Sequence, residues 1–199
     1  MKKDIAIIGT GGLGREIAGI IECINNVSAT WNFLGFFDDF ETRNEVNGYP
    51  VLGGIKELNA YAEDLSIVVG LGNPVLKKKI VQKISNQHLA FPVIIHPSVQ
   101  IYSLKTISLG KGIVIGANAV ITVNVTINDF VYVNTATVVA HDAVVGEFSM
   151  LMPTVSISAG AEIGAGVYIG NGVKIDVPIK IIENTILKAG TIISAEGNQ

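Results

Sequence analysis

The sequence predicts an α/β, Rossmann-like domain with a small parallel sheet, followed by a parallel β-helix of hexapeptide repeats. Three observations support this prediction. A glycine-rich turn follows an apolar strand near the start of the chain, and strands alternate with helices as far as residue 95. From residue 107 onward an aliphatic residue recurs at every sixth position. Alternating strands and helices are typical of parallel sheets, and a six-residue period is typical of β-helices.

Composition limits the classes of function. The 199 residues can form one large or two small domains, and the net charge of −3 gives no electrostatic reason to expect nucleic-acid binding. Only 16% of the residues are charged, against roughly 25% in an average chain, which predicts extra apolar burial between subunits. We find no secretory pattern and no apolar run of the ~18 residues that a membrane span needs. With the single cysteine Cys23, these features predict a cytoplasmic protein without membrane insertion.

The predicted first domain comprises residues 1–95. Its strand 5–8 leads into the turn 9–14, whose pattern G-x-G-x-x-G precedes an amphipathic helix. Further predicted elements are a strand at 33–37, a helix at 55–62, a strand at 67–69, a helix at 75–85 and a strand at 91–95. By itself the turn is the fingerprint of dinucleotide binding, and Asp38 stands 24 residues after Gly14, near the ~20 typical of a ribose-binding acid. An NAD enzyme is therefore one alternative.

The predicted second domain comprises residues 96–199. Cut every six residues from 107, the chain gives 15 hexads whose third residue, from Leu109 to Ile193, is always Leu, Ile or Val. We expect positions one and three to face inward, position two to face outward, and three strands to close a coil of 18 residues. Position four is often Gly or Asn, which predicts a left-handed backbone at that position. A dehydrogenase also needs a substrate-binding domain with catalytic side chains, and a β-helix does not supply one of the usual kind.

The whole chain resembles the hexapeptide-repeat sugar acyltransferases of the sialic acid O-acetyltransferase-like family, whose relatives include bacterial UDP-4-amino-sugar N-acetyltransferases. The motifs that carry the resemblance are GTGGLGRE at 9–16, FFDD at 36–39, GLGNP at 70–74, IIHPSV at 94–99 and VNTATVVAHDAVVGEF at 133–148. The resemblance implies a left-handed β-helix, a homotrimer and acetyl-CoA bound in the groove between neighbouring subunits. It implies no metal.

His141 is the candidate general base. Of the three histidines, His88 follows a predicted helix and His96 precedes a proline, and both are interpreted as surface or structural residues. His141 occupies position five of its hexad and therefore projects outward. From the residues alone, a solvated corner histidine is an equal alternative. The resemblance assigns His141 as the base and the adjacent Asp142 as the acid that holds its ring.

The resemblance also assigns binding residues. Ala159, one coil from His141, would offer its backbone N–H to the thioester oxygen. Asn134 would face the acceptor, although position four favours Asn for structural reasons as well. The remaining implied contacts with acetyl-CoA are Met150, Asn171 and Ala189, and those with the sugar nucleotide are Gly11, Gly12, Leu13, Asp38, Asp39 and Gly72.

The expected function is acetyl-CoA-dependent transfer of an acetyl group to an amino group of a nucleotide-activated sugar in bacterial surface-glycan biosynthesis. Two alternatives stay open: O-acetylation of sialic acid or a related nonulosonic acid, and a degenerate β-helix scaffold without activity. A homotrimer is also expected because outward positions are apolar, namely Val114, Val120, Tyr132 and Val138.

Overall fold

The chain divides into two compact units, residues 1–92 and residues 93–199, in a computed structural model that describes residues 2–195 and the backbone of residues 197–198. The last hexad of the sequence is therefore described as far as residue 195. The first unit is an α/β sheet and the second is a parallel β-helix, so the predicted fold class is confirmed. The sequence placed the division three residues later, after residue 95.

The first unit contains six strands and three helices. In chain order they are β1 (Lys3–Ile8), α1 (Gly12–Val27), β2 (Trp31–Phe37), β3 (Glu45–Val46), β4 (Tyr49–Pro50), α2 (Ile55–Asn59), β5 (Leu65–Val69), α3 (Pro74–Gln82) and β6 (Leu89–Ala90). Four strands form one parallel sheet in the order β2-β1-β5-β6, while β3 and β4 form a small antiparallel pair. Helix α1 buries Ile17, Ile20 and Ile21 because these residues share one face of the helix.

The predicted strand at 91–95 is wrong. The sheet instead takes Leu89–Ala90 as its edge strand, and Ile94–Ile95 forms the first strand of the β-helix. Ile94 and Ile95 pair with Val114 and Ile115, twenty residues along, because the chain between them carries two residues beyond the regular coil of 18. This insertion hides the first two strands of the β-helix from a strict search for a six-residue period.

The β-helix has three faces. The first face carries the strands Ile94–Ile95, Val114–Ile115, Tyr132–Val133, Met150–Leu151, Tyr168–Ile169 and Ile186–Leu187. The second carries Gln100–Ile101, Val120–Ile121, Val138–Val139, Ser156–Ile157, Lys174–Ile175, Ile192–Ser194 and the antiparallel Gly197–Asn198. The third carries Ser108–Leu109, Thr126–Ile127, Val144–Val145, Glu162–Ile163 and Lys180–Ile181. The result is a solenoid of about six turns, consistent with the left-handed β-helix that the resemblance implies.

Aliphatic ladders fill the interior of the β-helix. Residues at positions one and three of the hexads are buried from Ile113 to Ile175, and all of them except the polar Thr137 and Ser149 belong to one hydrophobic cluster. Each parallel strand places the same hexad position above its counterpart in the preceding coil, so Val139 stacks beneath Ile157 and Ile157 beneath Ile175. Burial of these side chains is the main source of stability for the unit.

The corners differ from the prediction at position four. The backbone is left-handed at position six, where φ lies between 55° and 75° from Gly112 to Gly190, except at Pro178, whose ring forbids it. The glycines at position four have no positive φ. A Cβ at Gly146 would instead lie 2.5 Å from the backbone N of Ala165 in the next coil. Glycine therefore allows close approach of successive coils there.

Replacement of glycine by alanine is expected to have opposite effects on the free energy of unfolding at Gly146 and at Gly19. Gly146→Ala should lower the free energy of unfolding by about 1–3 kcal/mol, because the added methyl group overlaps backbone. Gly19→Ala, inside α1 with no atom beyond the backbone of the helix itself within 4 Å of the new Cβ, should raise it by about 0.5–1 kcal/mol. Urea unfolding followed by circular dichroism measures the first change, and fluorescence of Trp31 in β2 measures the second. A stabilised Gly146→Ala variant would contradict the packing argument.

Candidate active site

His141 and Asp142 lie together at one corner of the β-helix. We call this the His141 corner; it consists of hexad positions four to six in four successive coils, residues 122–124, 140–142, 158–160 and 176–178. The His141 Nδ1 and Asp142 Oδ2 are 2.7 Å apart, and the two side chains are 58% and 55% exposed. The ring is held at one nitrogen and remains open to solvent, so a ligand can reach it.

The hydrogen bonds at Asp142 decide which ring nitrogen is free. The hydrogen bond from His141 and a second from Asn124 hold the pKa of the Asp142 carboxyl below its usual value, so it is ionised near neutral pH. An ionised carboxylate only accepts hydrogen bonds, so Nδ1 of His141 must carry the proton. The lone pair of Nε2 is then available, and Nε2 makes no hydrogen bond to any residue that the structure describes. This is the tautomer that a general base needs.

Ala159 lies one coil from His141 at the same corner. The N–H of the following residue, Gly160, donates to the His141 carbonyl oxygen at 2.9 Å, which fixes the alignment of the two coils. Within the described part of the chain, the Ala159 N–H has no acceptor. It can therefore donate to an oxygen of a bound molecule about 4.8 Å along the solenoid from His141.

The other residues predicted for the β-helix lie elsewhere. Asn134, Asn171 and Ala189 share a second corner, formed by 116–118, 134–136, 152–154, 170–172 and 188–190. Asn134 is buried, and its Oδ1 accepts a hydrogen bond from the Thr135 N–H, so the structure gives it a turn-forming role. Asn171 and Ala189 are exposed. The side chain of Met150, on the first face, has an exposed fraction of 0%, so its position does not support the predicted contact with acetyl-CoA.

Two of the four outward residues expected to form a subunit contact are already buried within the single chain. Val114 and Tyr132 have exposed fractions of 2% and 1%. The expectation of an exposed apolar face is therefore wrong at these two positions. Val138 on the second face is exposed and Val120 half-buried, so that face keeps its apolar surface.

The glycine-rich turn of the first unit is held by acidic side chains. The backbone N–H and the hydroxyl of Thr10 donate to Asp38 Oδ2 at 2.9 and 2.8 Å, and the Phe40 N–H donates to Asp38 Oδ1 at 3.0 Å. Burial raises the pKa of the Asp38 carboxyl, but these hydrogen bonds outweigh it and the pKa lies below its usual value. Glu41 Oε2 also lies 3.2 Å from the Thr10 hydroxyl oxygen, and the hydrogen bonds from Arg43 lower the pKa of Glu41 to about 2.

The residues predicted to contact the sugar nucleotide surround this turn. Gly11, Gly12 and Gly72 are exposed with open space above them, and Leu13 is half-buried. Asp39 Oδ1 accepts a hydrogen bond from the Ile55 N–H and so begins α2. Asp38 and Asp39 both line an open depression of about 350 Å³, together with Glu41, Arg43, Gly53 and Glu57 among others. The first turn of α1 offers N–H groups without acidic side chains of its own.

Three contributors to these sites were missed by the sequence argument. Asn124 donates to Asp142 from the coil below, and its place 18 residues before Asp142 was the available signal. Thr10 and Glu41 stabilise the glycine-rich turn, and the polar residue within that turn was the signal for Thr10. No sequence pattern indicated the role of Glu41 or its ion pair with Arg43.

Residues 2–195 contain no group of three or more His, Cys, Asp or Glu side chains placed to hold a metal ion. In the same part of the chain, no helix combines the length and the apolar character needed to cross a bilayer.

Both units match known protein families. Residues 4–84 match the PglD N-terminal domain, and residues 142–176 match the bacterial transferase hexapeptide repeats. None of the curated proteins matches the chain. The family matches confirm the resemblance inferred from the sequence, since the chain joins a PglD-type N-terminal domain to hexapeptide repeats.

Solved structures are similar over nearly the full length. The acetyltransferase domain of PglB from Neisseria gonorrhoeae FA1090 is 28% identical with a TM-score of 0.88, covering 97% of this chain and 92% of that one. In complex with acetyl coenzyme A, that domain aligns at 26% identity and a TM-score of 0.84, covering 100% and 99%. PerB from Caulobacter crescentus, in complex with CoA and GDP-perosamine, shares the fold at 23% identity and a TM-score of 0.63, covering 98% and 95%.

Proposed function

We propose that this chain, in which a PglD-type N-terminal domain precedes hexapeptide repeats, is an acetyl-CoA-dependent acetyltransferase acting on an amino group of a nucleotide-activated sugar. The observation that carries the proposal is the His141–Asp142 pair, which leaves Nε2 of an exposed ring free as a proton acceptor. The similarity to an acetyltransferase domain crystallised with acetyl coenzyme A supports the identity of the donor. We place the reaction in the cytoplasm, in bacterial surface-glycan biosynthesis.

The proposed reaction is direct transfer. The acceptor nitrogen attacks the thioester carbon while His141 Nε2 takes a proton from that nitrogen. A C–N bond forms, the C–S bond breaks, and the CoA thiolate leaves with the proton returned by the imidazolium. Asp142 holds the ring and stabilises its transient positive charge. The free N–H of Ala159 stabilises the oxygen that becomes negative during attack.

Several of the remaining predicted residues have proposed binding roles. Asn171 and Ala189 at the second corner contact the CoA chain, and the exposed turn at Gly11, Gly12 and Gly72 holds the nucleotide. Helix α1 begins at this turn, and helix N-termini favour anionic groups. We give Asp38 and Asp39 a shared role, because their carboxylates fix the loops around the depression and line it as well.

A homotrimer is part of the proposal. Each β-helix has His141 at one corner and the Asn171 and Ala189 positions at another, so a donor that touches both sets lies between two copies of the chain. The apolar residues Val120 and Val138 on the second face support a contact between copies. Analytical ultracentrifugation measures the assembly state directly.

The test is release of CoA thiol from acetyl-CoA with a panel of acceptors. We expect turnover with a nucleoside-diphosphate-linked amino sugar and none with free sialic acid. Calorimetry with UDP, GDP, CMP and free sialic acid then identifies which group the first unit binds. Turnover with sialic acid alone would instead indicate an O-acetyltransferase. Failure to bind acetyl-CoA at all would favour a scaffold.

A further inference from the structure

A column of equivalent residues, polar in three of its four places, runs along the His141 corner and continues into the preceding coil. Thr106, Asn124, Asp142 and Gly160 occupy equivalent places in successive coils, 18 residues apart. The Asn124 N–H donates to Thr106 Oγ1 at 3.2 Å, and the Asn124 side-chain N–H donates to Asp142 Oδ1 at 3.0 Å. Asp142 in turn accepts from His141 at 2.7 Å through its other oxygen. The two oxygens of one carboxylate are therefore held from two different coils.

The backbone explains why residue 124 is Asn but does not explain where its side chain lies. Asn124 has φ of 56° and Asp142 has φ of 61°, and both residue types tolerate this left-handed conformation. Asn184 occupies the same hexad position, with φ of 58°, on a corner that carries no predicted site residue. The contact from Asn124 to Asp142 is thus an addition to the corner, since a glycine would satisfy the backbone equally well.

The contact matters because the pair is exposed. An Asp142 carboxylate that is 55% exposed can rotate into water, and a rotated carboxylate no longer fixes the His141 ring. A hydrogen bond at its second oxygen removes that freedom. We propose that Asn124 is a positioning residue for acetyl transfer: it holds the Asp142 carboxylate from the coil below and so keeps Nε2 of His141 free and oriented. This inference rests on the proposed function of the His141 corner.

Few other charges act on the pair from this corner. The coils directly below and above His141 contribute the uncharged residues Val123, Asn124, Ala159 and Gly160. The nearest ionisable residues along the corner are Lys105, which precedes Thr106, and Asp176. Each lies two coils from His141, about 10 Å along the solenoid, where salt screens exposed charges. Asp142, at 2.7 Å, is therefore the charge closest to His141 along this corner.

A double-mutant cycle separates positioning from a structural role. Asn124→Gly keeps the left-handed backbone and should lower kcat about threefold to tenfold, with KM for acetyl-CoA unchanged. Asn124→Gly should lower kcat no further when Asp142 is already replaced by Gly, because its effect passes through Asp142. Asn184→Gly is the matched control and should leave kcat unchanged. An equal loss in both backgrounds, or no loss at all, would overturn the proposal.

The pH profile gives a second readout. Asn124→Asp places another carboxylate beside Asp142, which favours the protonated imidazole, so the acidic limb of the kcat/KM profile should move to higher pH. Asn184→Asp makes the same change in net charge on another corner and should leave the limb in place. Equal shifts in the two variants would mean that net charge alone is responsible, and would count against the proposal.

Imidazole ¹⁵N chemical shifts test the inference without any assay of activity. In the unaltered chain, neutral His141 should carry its proton on Nδ1. In Asn124→Gly, part of the population should carry it on Nε2, as free imidazole side chains do, while Asn184→Gly should leave the shifts unchanged. The same tautomer in the unaltered chain and in Asn124→Gly would disprove the positioning role of Asn124. If the unaltered chain cleaved no thioester but Asn124→Gly still changed the tautomer, the proposed function would be wrong and the positioning role of Asn124 would stand.

Discussion

His141→Ala is expected to lower kcat for acetyl transfer by about 10²–10⁴-fold, because the variant loses the group that accepts the proton from the attacking nitrogen. The ring is exposed and its one side-chain partner among the described residues is Asp142, so its removal should not weaken the fold. Thiol release from acetyl-CoA at saturating acceptor measures the effect. Binding of acetyl-CoA by calorimetry should be unchanged within about twofold, since the lost interaction belongs to the transition state.

His96→Ala is the control for the loss of a histidine. His96 lies at the start of the β-helix, where its Nδ1 contacts the Ser98 hydroxyl at 2.8 Å. Its removal should change kcat little. Equal rates for His141→Ala and the unaltered chain would disprove the assignment of the base, and with it the chemistry that we propose for this corner.

Ile157→Ala is expected to have the largest effect on stability, a loss of about 2–5 kcal/mol in the free energy of unfolding. Ile157 is 1% exposed and stacks between Val139 and Ile175, so the cavity cannot be filled by movement of one neighbour. Ile182→Ala removes the same atoms from a side chain that is 71% exposed and should change stability by less than about 0.5 kcal/mol. Urea unfolding followed by circular dichroism compares them.

A small loss for Ile157→Ala would be inconsistent with a continuous aliphatic interior. A large loss for Ile182→Ala would show that position four contributes to packing, contrary to its exposure. The comparison therefore tests the inward and outward assignment of the hexad, which underlies the placement of His141 at an outer corner.

Much of the fold could be predicted from the sequence because each element repeats one local rule. The third hexad position selects aliphatic residues without exception, and the strands begin at position two as the pattern requires. The conformation of the corners could not be predicted in the same way. Gly and Asn occur at positions four and six for different reasons, close approach at Gly146 and a left-handed backbone at Asn124, and composition alone does not separate them.

The candidate site was predictable where a motif is contiguous and unpredictable where contacts join different coils. The adjacent residues His141 and Asp142 form one such motif, and their side chains do meet. The contact from Asn124 depends on the stacking of coils, which appears only when residues 18 apart are compared. The burial of Met150 and Tyr132 was missed because position two alternates with buried positions and was assumed to face solvent throughout.

The two extra residues in the first coil mark where this chain can change length. Val114 and Val120 pair with residues 20 positions earlier, whereas Thr126 pairs with Ser108, 18 positions earlier, so the surplus is absorbed between the second and third strands of the solenoid. Tyr102 and Leu104 are exposed in this segment. A reporter loop grafted between them would leave every rung beyond residue 107 in register. A single residue inserted within one of the two-residue strands beyond residue 107 would instead break the inward and outward alternation of that strand.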